Sequence, residues 1–149
     1  MKTVVVIAGG FDPFHDGHLD HLLKASRLGD RVMVLVSNNQ DMVRKKGKCC
    51  LELGLRVKIL ELILSYYSIS GYVLPTIDTD GTQAKTLARV AKIYKSKRWT
   101  LLFAKGGDRT RKNMPLGELE VCDRLGVQIV YGIGDKLNSS TSIADRMKD

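Results

Sequence analysis

Gly9-Gly10-Phe11-Asp12-Pro13-Phe14-His15-Asp16-Gly17-His18 decides the fold of this chain. It follows an apolar run, Thr3-Val4-Val5-Val6-Ile7-Ala8, and precedes an amphipathic stretch that begins at Leu19. That order predicts a strand, a glycine-rich turn, and a helix with two histidines in its first turn. Such a turn gathers backbone N–H groups and the positive end of a helix dipole at one point, which suits phosphate. His15 and His18 stand three residues apart and so share a helix face. Gly17 between them keeps the backbone bare where a ligand must come close. Donors, glycines and dipole together describe a polyphosphate site, with histidines placed for charge that builds in a transition state.

The segment resembles the H-x-G-H signature of the class I nucleotidyltransferase superfamily, which includes cytidylyltransferases and nucleotide–sugar-phosphate adenylyltransferases. The family pattern G-x-F-D-x-x-H-x-G-H is met in register by Gly9, Phe11, Asp12, His15, Gly17 and His18, while Ile7 stands where many members carry Thr or Ser. Two later segments extend the resemblance. Lys105-Gly106-Gly107-Asp108 is similar to the K-G-G-D element of the heptose-phosphate adenylyltransferase branch. Leu137-Asn138-Ser139-Ser140-Thr141-Ser142-Ile143 is similar to the I-S-S/T-T-x-I element, whose hydroxyls and helix-end amides hold the β- and γ-phosphates. Ser139, Ser140 and Thr141 are also good caps for a last short helix near Thr141. The polar, basic stretch Asn39–Leu51 has the make-up of a mobile loop. By resemblance it is a flap whose lysine reaches the triphosphate, with Lys46 the choice and Lys48 the close alternative. Arg56 matches the arginine of an E-x-R-like element, although Gly54 stands where the acidic partner belongs.

The rest of the chain reads as alternating β and α. Strand signals run over Val4–Ala8, Arg31–Ser37, Gly71–Leu74, Trp99–Ala104 and Val127–Tyr131, short and rich in Val, Ile and Leu as buried parallel strands are. Between them lie helical patterns: Leu19, Leu22, Leu23 and Ser26; then Leu55, Ile59, Leu60, Leu62 and Ile63; then Leu87, Val90, Ala91 and Tyr94; then Leu116, Leu119, Val121 and Leu125, stopped by Gly126. The expectation is an α/β, Rossmann-like, doubly wound sheet of about five parallel strands in one domain over residues 1–149, with ligands at the carboxyl ends of the strands. Asp78 and Asp80 flank a turn before the third helix. Capping chemistry suits them better than a calcium loop, and they stand as low-ranked acceptor contacts. His21, one turn past His18, is expected on the helix surface.

Composition narrows the classes. The net charge of +8 suggests polyanionic partners, and basic residues cluster at 44–48, 95–98 and 109–112. Aromatic residues are not interleaved with these clusters and no zinc-finger or RNA-recognition signature is present, which argues against nucleic acid as the partner. No apolar run approaches the roughly 20 residues that cross a bilayer. Met1-Lys2-Thr3 runs straight into a strand, and Cys49, Cys50 and Cys122 lack metal spacing. A cytoplasmic protein with reduced thiols and no disulfide partner is therefore expected.

The resemblance implies transfer of a nucleoside monophosphate from a nucleoside triphosphate to a small phosphorylated acceptor, such as a sugar or polyol phosphate, with release of pyrophosphate. It implies His15, His18 and Lys46 as the catalytic set. The nucleotide would be held by Ala8, Gly9, Gly10, Phe11, Asp12, Gly17, Lys105, Gly106, Gly107, Asp108, Ser139, Ser140 and Thr141. Lys48, Arg56, Asp78, Asp80 and Arg109 are the acceptor candidates. Mg2+ would travel with the triphosphate without direct protein ligation, and the chain would form a homodimer. ATP stands slightly ahead of CTP. The alternatives are a glycerol-phosphate-type cytidylyltransferase and, from another class, a non-catalytic nucleotide- or nucleic-acid-binding module.

Overall fold

In a computed structural model, which describes residues 1–135, five parallel strands form one sheet: β1 (Thr3–Gly9), β2 (Arg31–Val36), β3 (Gly71–Pro75), β4 (Thr100–Ala104) and β5 (Gln128–Val130). Their order is β3-β2-β1-β4-β5. Five helices connect them: α1 (Asp16–Ser26), α2 (Asn39–Lys46), α3 (Leu53–Tyr66), α4 (Ala84–Ser96) and α5 (Leu116–Leu125), with a single 3-10 turn at Arg111–Asn113. The expected α/β, Rossmann-like class and all five strands are present, each within about two residues of its sequence boundary.

The sheet works because β1 is apolar on both faces. Val4, Val5, Val6 and Ile7 have no exposed surface, and period-two alternation sends them to opposite sides. Val4 and Val6 join Met33, Leu35, Leu101 and Phe103 against Leu87, Val90 and Ala91 of α4 and Leu119 and Cys122 of α5. Val5 and Ile7 join Val32, Val34 and Val36 against Leu22 and Ala25 of α1 and Leu60 and Leu64 of α3. Chain order reverses between β1 and β4, so their carboxyl ends part there and leave a crevice, the usual ligand position of open α/β sheets.

Two expectations change. The stretch Asn39–Leu51 is not a loop throughout, because Asn39–Lys46 is helical. Asn38 caps α2 by accepting from the Asp41 amide (2.8 Å), and Gly47 ends it in the left-handed conformation at φ +76°. On α3 the apolar residues do not all face the core: Leu55, Leu62 and Tyr66 are 47%, 60% and 81% exposed. Spaced by seven and four residues, they form one outward stripe.

Candidate active site

The β1–α1 turn begins with Gly10, where any Cβ would sit 2.6 Å from Met42 Sδ. Phe11 follows in the left-handed region at φ +52°, an uncommon and costly state for an aromatic residue, held here by burial of its ring. That ring meets His18 edge-on at 4.9 Å between centroids.

His15 is the N-cap of α1. Its Nδ1 accepts from the amides of Gly17 (3.1 Å) and His18 (3.4 Å), and His18 Nδ1 accepts from the His15 amide (3.3 Å). The pair is a capping box built from two imidazoles, with His18 in the place that Glu or Gln usually takes. The hydrogen bonds fix the chemistry. A neutral ring whose Nδ1 accepts carries its proton on Nε2. Both histidines, whose rings stack at 3.7 Å, therefore present Nε2–H donors. Burial, then the neighbouring His15 and His21, pulls the His18 pKa down to about 3, and burial also lowers that of His15. Both are neutral donors at neutral pH.

These residues line a cavity of about 500 Å³ at the carboxyl ends of β1 and β4. Within it the structure brings together Ala8, Gly9, Gly10, Phe11, Asp12, His15, Gly17, His18, Lys46, Lys48, Lys105, Gly106, Gly107, Asp108 and Arg109. Asp12 is nearly buried, and its two oxygens take the amides of Cys50 (2.7 Å) and Leu51 (2.6 Å), so it pins the segment after α2 to the glycine turn. Lys46 and Lys48 are exposed beside that segment. Lys105 is nearly buried, 3.8 Å from Glu118 and over the Phe103 ring, and burial holds its ammonium below the usual lysine range while Glu118 opposes the shift. Gly107 lets backbone pass closely, since a Cβ there would be 2.6 Å from the Gly134 carbonyl.

Three acceptor candidates do not reach the cavity. Arg56 is wholly buried and is neither a ligand-facing residue nor a solvated one. Its guanidinium donates to the carbonyls of Leu51 (2.8 Å), Gly10 (2.9 Å) and Ser37 (2.6 Å), to Asn39 Oδ1 (2.8 Å) and to Cys49 Sγ (3.6 Å). That accounts for its five N–H groups, so it ties the glycine turn, the end of β2 and the flap together. Asp78, also buried, accepts from the Lys85 and Thr86 amides and from the Thr86 hydroxyl at the start of α4. Asp80 is exposed and closes a turn onto Thr82. Ser139, Ser140 and Thr141 lie outside the described residues.

Among the cavity residues that the sequence candidates did not include are His21, Lys45, Gln83 and Glu118. His21 is partly buried against Ile133, not on the helix surface. Lys45 bonds Ser37 Oγ (3.0 Å) and lies 3.3 Å from the buried Asp41. Glu118 accepts from the Gln83 amide at the start of α4 (3.0 Å). His21 carried a sequence signal in its spacing of three from His18, and Lys45 in the basic cluster 44–48; the Gln83–Glu118 contact joins residues 35 apart and carried none.

A 3-2-1-4-5 parallel sheet with a histidine-capped helix at its switch point defines a Rossmann-like nucleotide-binding architecture. The model of the family described as cytidylyltransferase-like matches residues 6–134, and the chain belongs to that family. The bifunctional protein HldE of Shewanella amazonensis is 28% identical over 149 residues, covering 98% of this chain and 28% of that protein. A phosphopantetheine adenylyltransferase of Clavibacter michiganensis subsp. michiganensis is 40% identical over 65 residues, covering 43% of this chain and 36% of the relative. The chain thus spans about a third of the length of these curated relatives. Among solved structures, the lipopolysaccharide core biosynthesis protein of Thermoplasma volcanium aligns with a TM-score of 0.62 at 22% identity, covering 93% of this chain and 100% of its own. A bifunctional NMN adenylyltransferase/ADP ribose pyrophosphatase of Francisella tularensis aligns with a TM-score of 0.72 at 14% identity, covering 98% of this chain and 41% of its own. These two share the fold.

Proposed function

We propose that the chain is a nucleotidyltransferase that moves a nucleoside monophosphate from a nucleoside triphosphate to a small phosphorylated acceptor. The observation that carries this reading is the pair of neutral imidazoles that line the cavity, each held by a backbone amide on Nδ1, which leaves Nε2–H as the donor. In the proposed reaction an acceptor phosphate oxygen forms a bond to the α-phosphorus. The bond from that phosphorus to the β-bridging oxygen breaks, and pyrophosphate leaves with the electron pair. The acceptor is already an anionic nucleophile, so the protein's part is placement and charge stabilisation. His15 and His18 donate to α-phosphate oxygens as charge builds there. Lys46, with Lys48 as the alternative, neutralises the leaving pyrophosphate, together with the helix end expected at Ser139–Thr141. Lys105 and Arg109 supply positive charge on the β4 side of the cavity.

Magnesium, carried in by the triphosphate, would neutralise phosphate charge. In this reading the ion would be held by phosphate oxygens and water. The cavity carboxylate nearest the turn, Asp12, has both oxygens on backbone amides.

ATP is favoured over CTP on the K-G-G-D resemblance and on the adenylyltransferase named among the relatives. A sugar or polyol phosphate is the favoured acceptor class. A homodimer through the outward stripe of α3 is part of the proposal, because a helix apolar on both sides has a second face to bury. The test is pyrophosphate release with ATP and with CTP, each with magnesium, across a panel of sugar and polyol phosphates. Release with no pair, despite tight binding of a triphosphate, would leave a binding module instead.

A further inference from the structure

Of the five described α-helices, α4 alone carries no carboxylate. Its basic residues are Lys85, Arg89, Lys92 and Lys95, and Lys97 and Arg98 follow directly, all of them exposed. Lys85, Arg89 and Lys92 recur at spacings of four and three, so they stand in one row on the solvent side, over roughly 10 Å of helix axis. Among the described residues none of these cations has an ion-pair partner, whereas Lys24, Lys45, Lys105 and Arg111 each have one. The fold gains nothing from the pattern. Like charges three and four residues apart repel, and Lys85 stands at the positive end of the helix dipole, where a carboxylate would stabilise. Unneutralised cations kept at a cost to the helix are the complement of an anionic partner.

The apolar residues beside the row decide which anion fits. Ile93, four residues past Arg89, is 54% exposed. Tyr72 and Leu74 of β3 lie on the α4 side of the sheet, because their register partners Met33 and Leu35 belong to the core under α4. Tyr72 is 59% exposed, and Leu74 is exposed too. Arg31 lies over the rings of Tyr72 (5.3 Å) and Trp99 (4.8 Å), so charge and apolar surface meet there as well. One face of the molecule thus offers cations together with aliphatic and aromatic side chains. A nucleic-acid backbone would take the cations and leave Ile93 and Leu74 in water. A second copy of this chain would bring a like-charged row against this one. A bilayer of anionic lipids uses both parts: headgroups neutralise the lysines, and Ile93, Leu74 and Tyr72 settle at the headgroup boundary.

We propose that the α4 face docks peripherally on an anionic lipid surface, independently of the transfer reaction. Flotation with vesicles of equal parts phosphatidylglycerol and phosphatidylcholine, and with vesicles of phosphatidylcholine alone, tests it. Wild type should float with the first and not with the second, and should lose binding as salt is raised. The triple variant Lys85→Gln, Arg89→Gln, Lys92→Gln should lower the partition coefficient on the order of 10²-fold, about fivefold for each cation removed. Its melting temperature and its triphosphate affinity should match wild type, since the three side chains are exposed and lie outside the cavity. Ile93→Ser should weaken vesicle binding with the salt dependence intact. Wild type that stays behind when the anionic vesicles float overturns the proposal, and so does a triple variant that floats as well as wild type. Binding lost on changing Lys46 and Lys48 to Gln but kept in the triple variant also overturns it, and assigns the attraction to the cavity lysines. Equal vesicle affinity of wild type and Ile93→Ser, beside tighter binding of duplex DNA, overturns the lipid in favour of nucleic acid. Vesicle binding is read without turnover, so a failure of pyrophosphate release removes the transfer reading and leaves this one standing.

Discussion

Lowering the pH from 7 to 5 puts a proton on an unfolded histidine but not on His18 in the folded chain. His18 has its pKa pulled from 6.5 to about 3 by burial first and by its histidine neighbours second. The unfolded state therefore binds more protons across this window, and stability falls as the pH falls. Below a pH of about 3 the folded ring would be protonated too and the loss would level off. Between pH 7 and pH 5 the shift predicts a loss of about 2 kcal/mol from His18 alone. In a domain of this size that is about 5 °C of melting temperature. The structure adds a reason beyond desolvation. Protonating Nδ1 of His18 turns an acceptor into a donor facing the His15 amide, so the capping box breaks as the charge appears.

The assay is urea unfolding at both pH values for wild type and His18→Gln. Glutamine is the usual residue at this place in a capping box, so it keeps the cap and does not titrate. The variant loses the ring stack and starts less stable, but its loss between pH 7 and pH 5 should be about 2 kcal/mol smaller than that of wild type. His15 and His21, also shifted down, contribute to both proteins and cancel in the difference. Equal losses in the two proteins would refute the neutral, half-buried His18 on which the donor mechanism rests.

Other expectations follow from the same geometry. His18→Ala should lower turnover by about 10²–10³ while triphosphate binding changes little, and His18→Gln, whose amide reaches the Nε2 position, should recover more than His18→Asn; steady-state rates beside calorimetry decide it. Lys46→Ala should reduce pyrophosphate release with the melting temperature within about 2 °C of wild type, and loss from Lys48→Ala alone would move the role to that lysine. Arg56→Ala should destabilise by about 3 kcal/mol or more, because it strands the buried Ser37 carbonyl and the half-buried carbonyls of Gly10 and Leu51, and a thermal melt at wild-type stability would contradict the hub. Leu62→Glu should turn the expected dimer into a monomer by light scattering without lowering the melting temperature of the monomer, since Leu62 is 60% exposed.

What the sequence showed, and what it hid, divides along a physical line. β1 is legible because four consecutive core residues admit no other fate, and the histidine turn is legible because its glycines and imidazoles are contiguous. Helix α2 is hidden because it is polar nearly all round. It forms on an Asn38 cap and on two buried residues, Asp41 and Met42, whose burial depends on Gly81 and Gly10 arriving from elsewhere. Arg56 is hidden for a stronger reason. A local pattern can show that an arginine sits among leucines, but not that the Gly10 and Ser37 carbonyls, from two distant segments, converge on it beside that of Leu51.

That convergence bears on how the site works. The histidine turn and the flap lysines come from segments 30 residues apart, and two side chains set their spacing. Asp12 holds the Cys50 and Leu51 amides, while Arg56 holds the Leu51 carbonyl and the Gly10 carbonyl at once. The turn that would carry the α-phosphate and the flap that would carry the leaving pyrophosphate are therefore braced against each other before any ligand arrives. Preorganised spacing of this kind is what a phosphoryl-type transfer needs, since little covalent help is available from the protein. Among the flap lysines the freedom that remains is in their exposed side chains, which can follow charge onto the leaving group without unmaking the brace. A neutral donor pair at the fixed end and exposed cations at the other also divide the electrostatics. In the proposed reaction, charge that must be stabilised only in the transition state would meet donors that are already neutral in the free protein, and charge that departs with pyrophosphate would meet lysines that can release it.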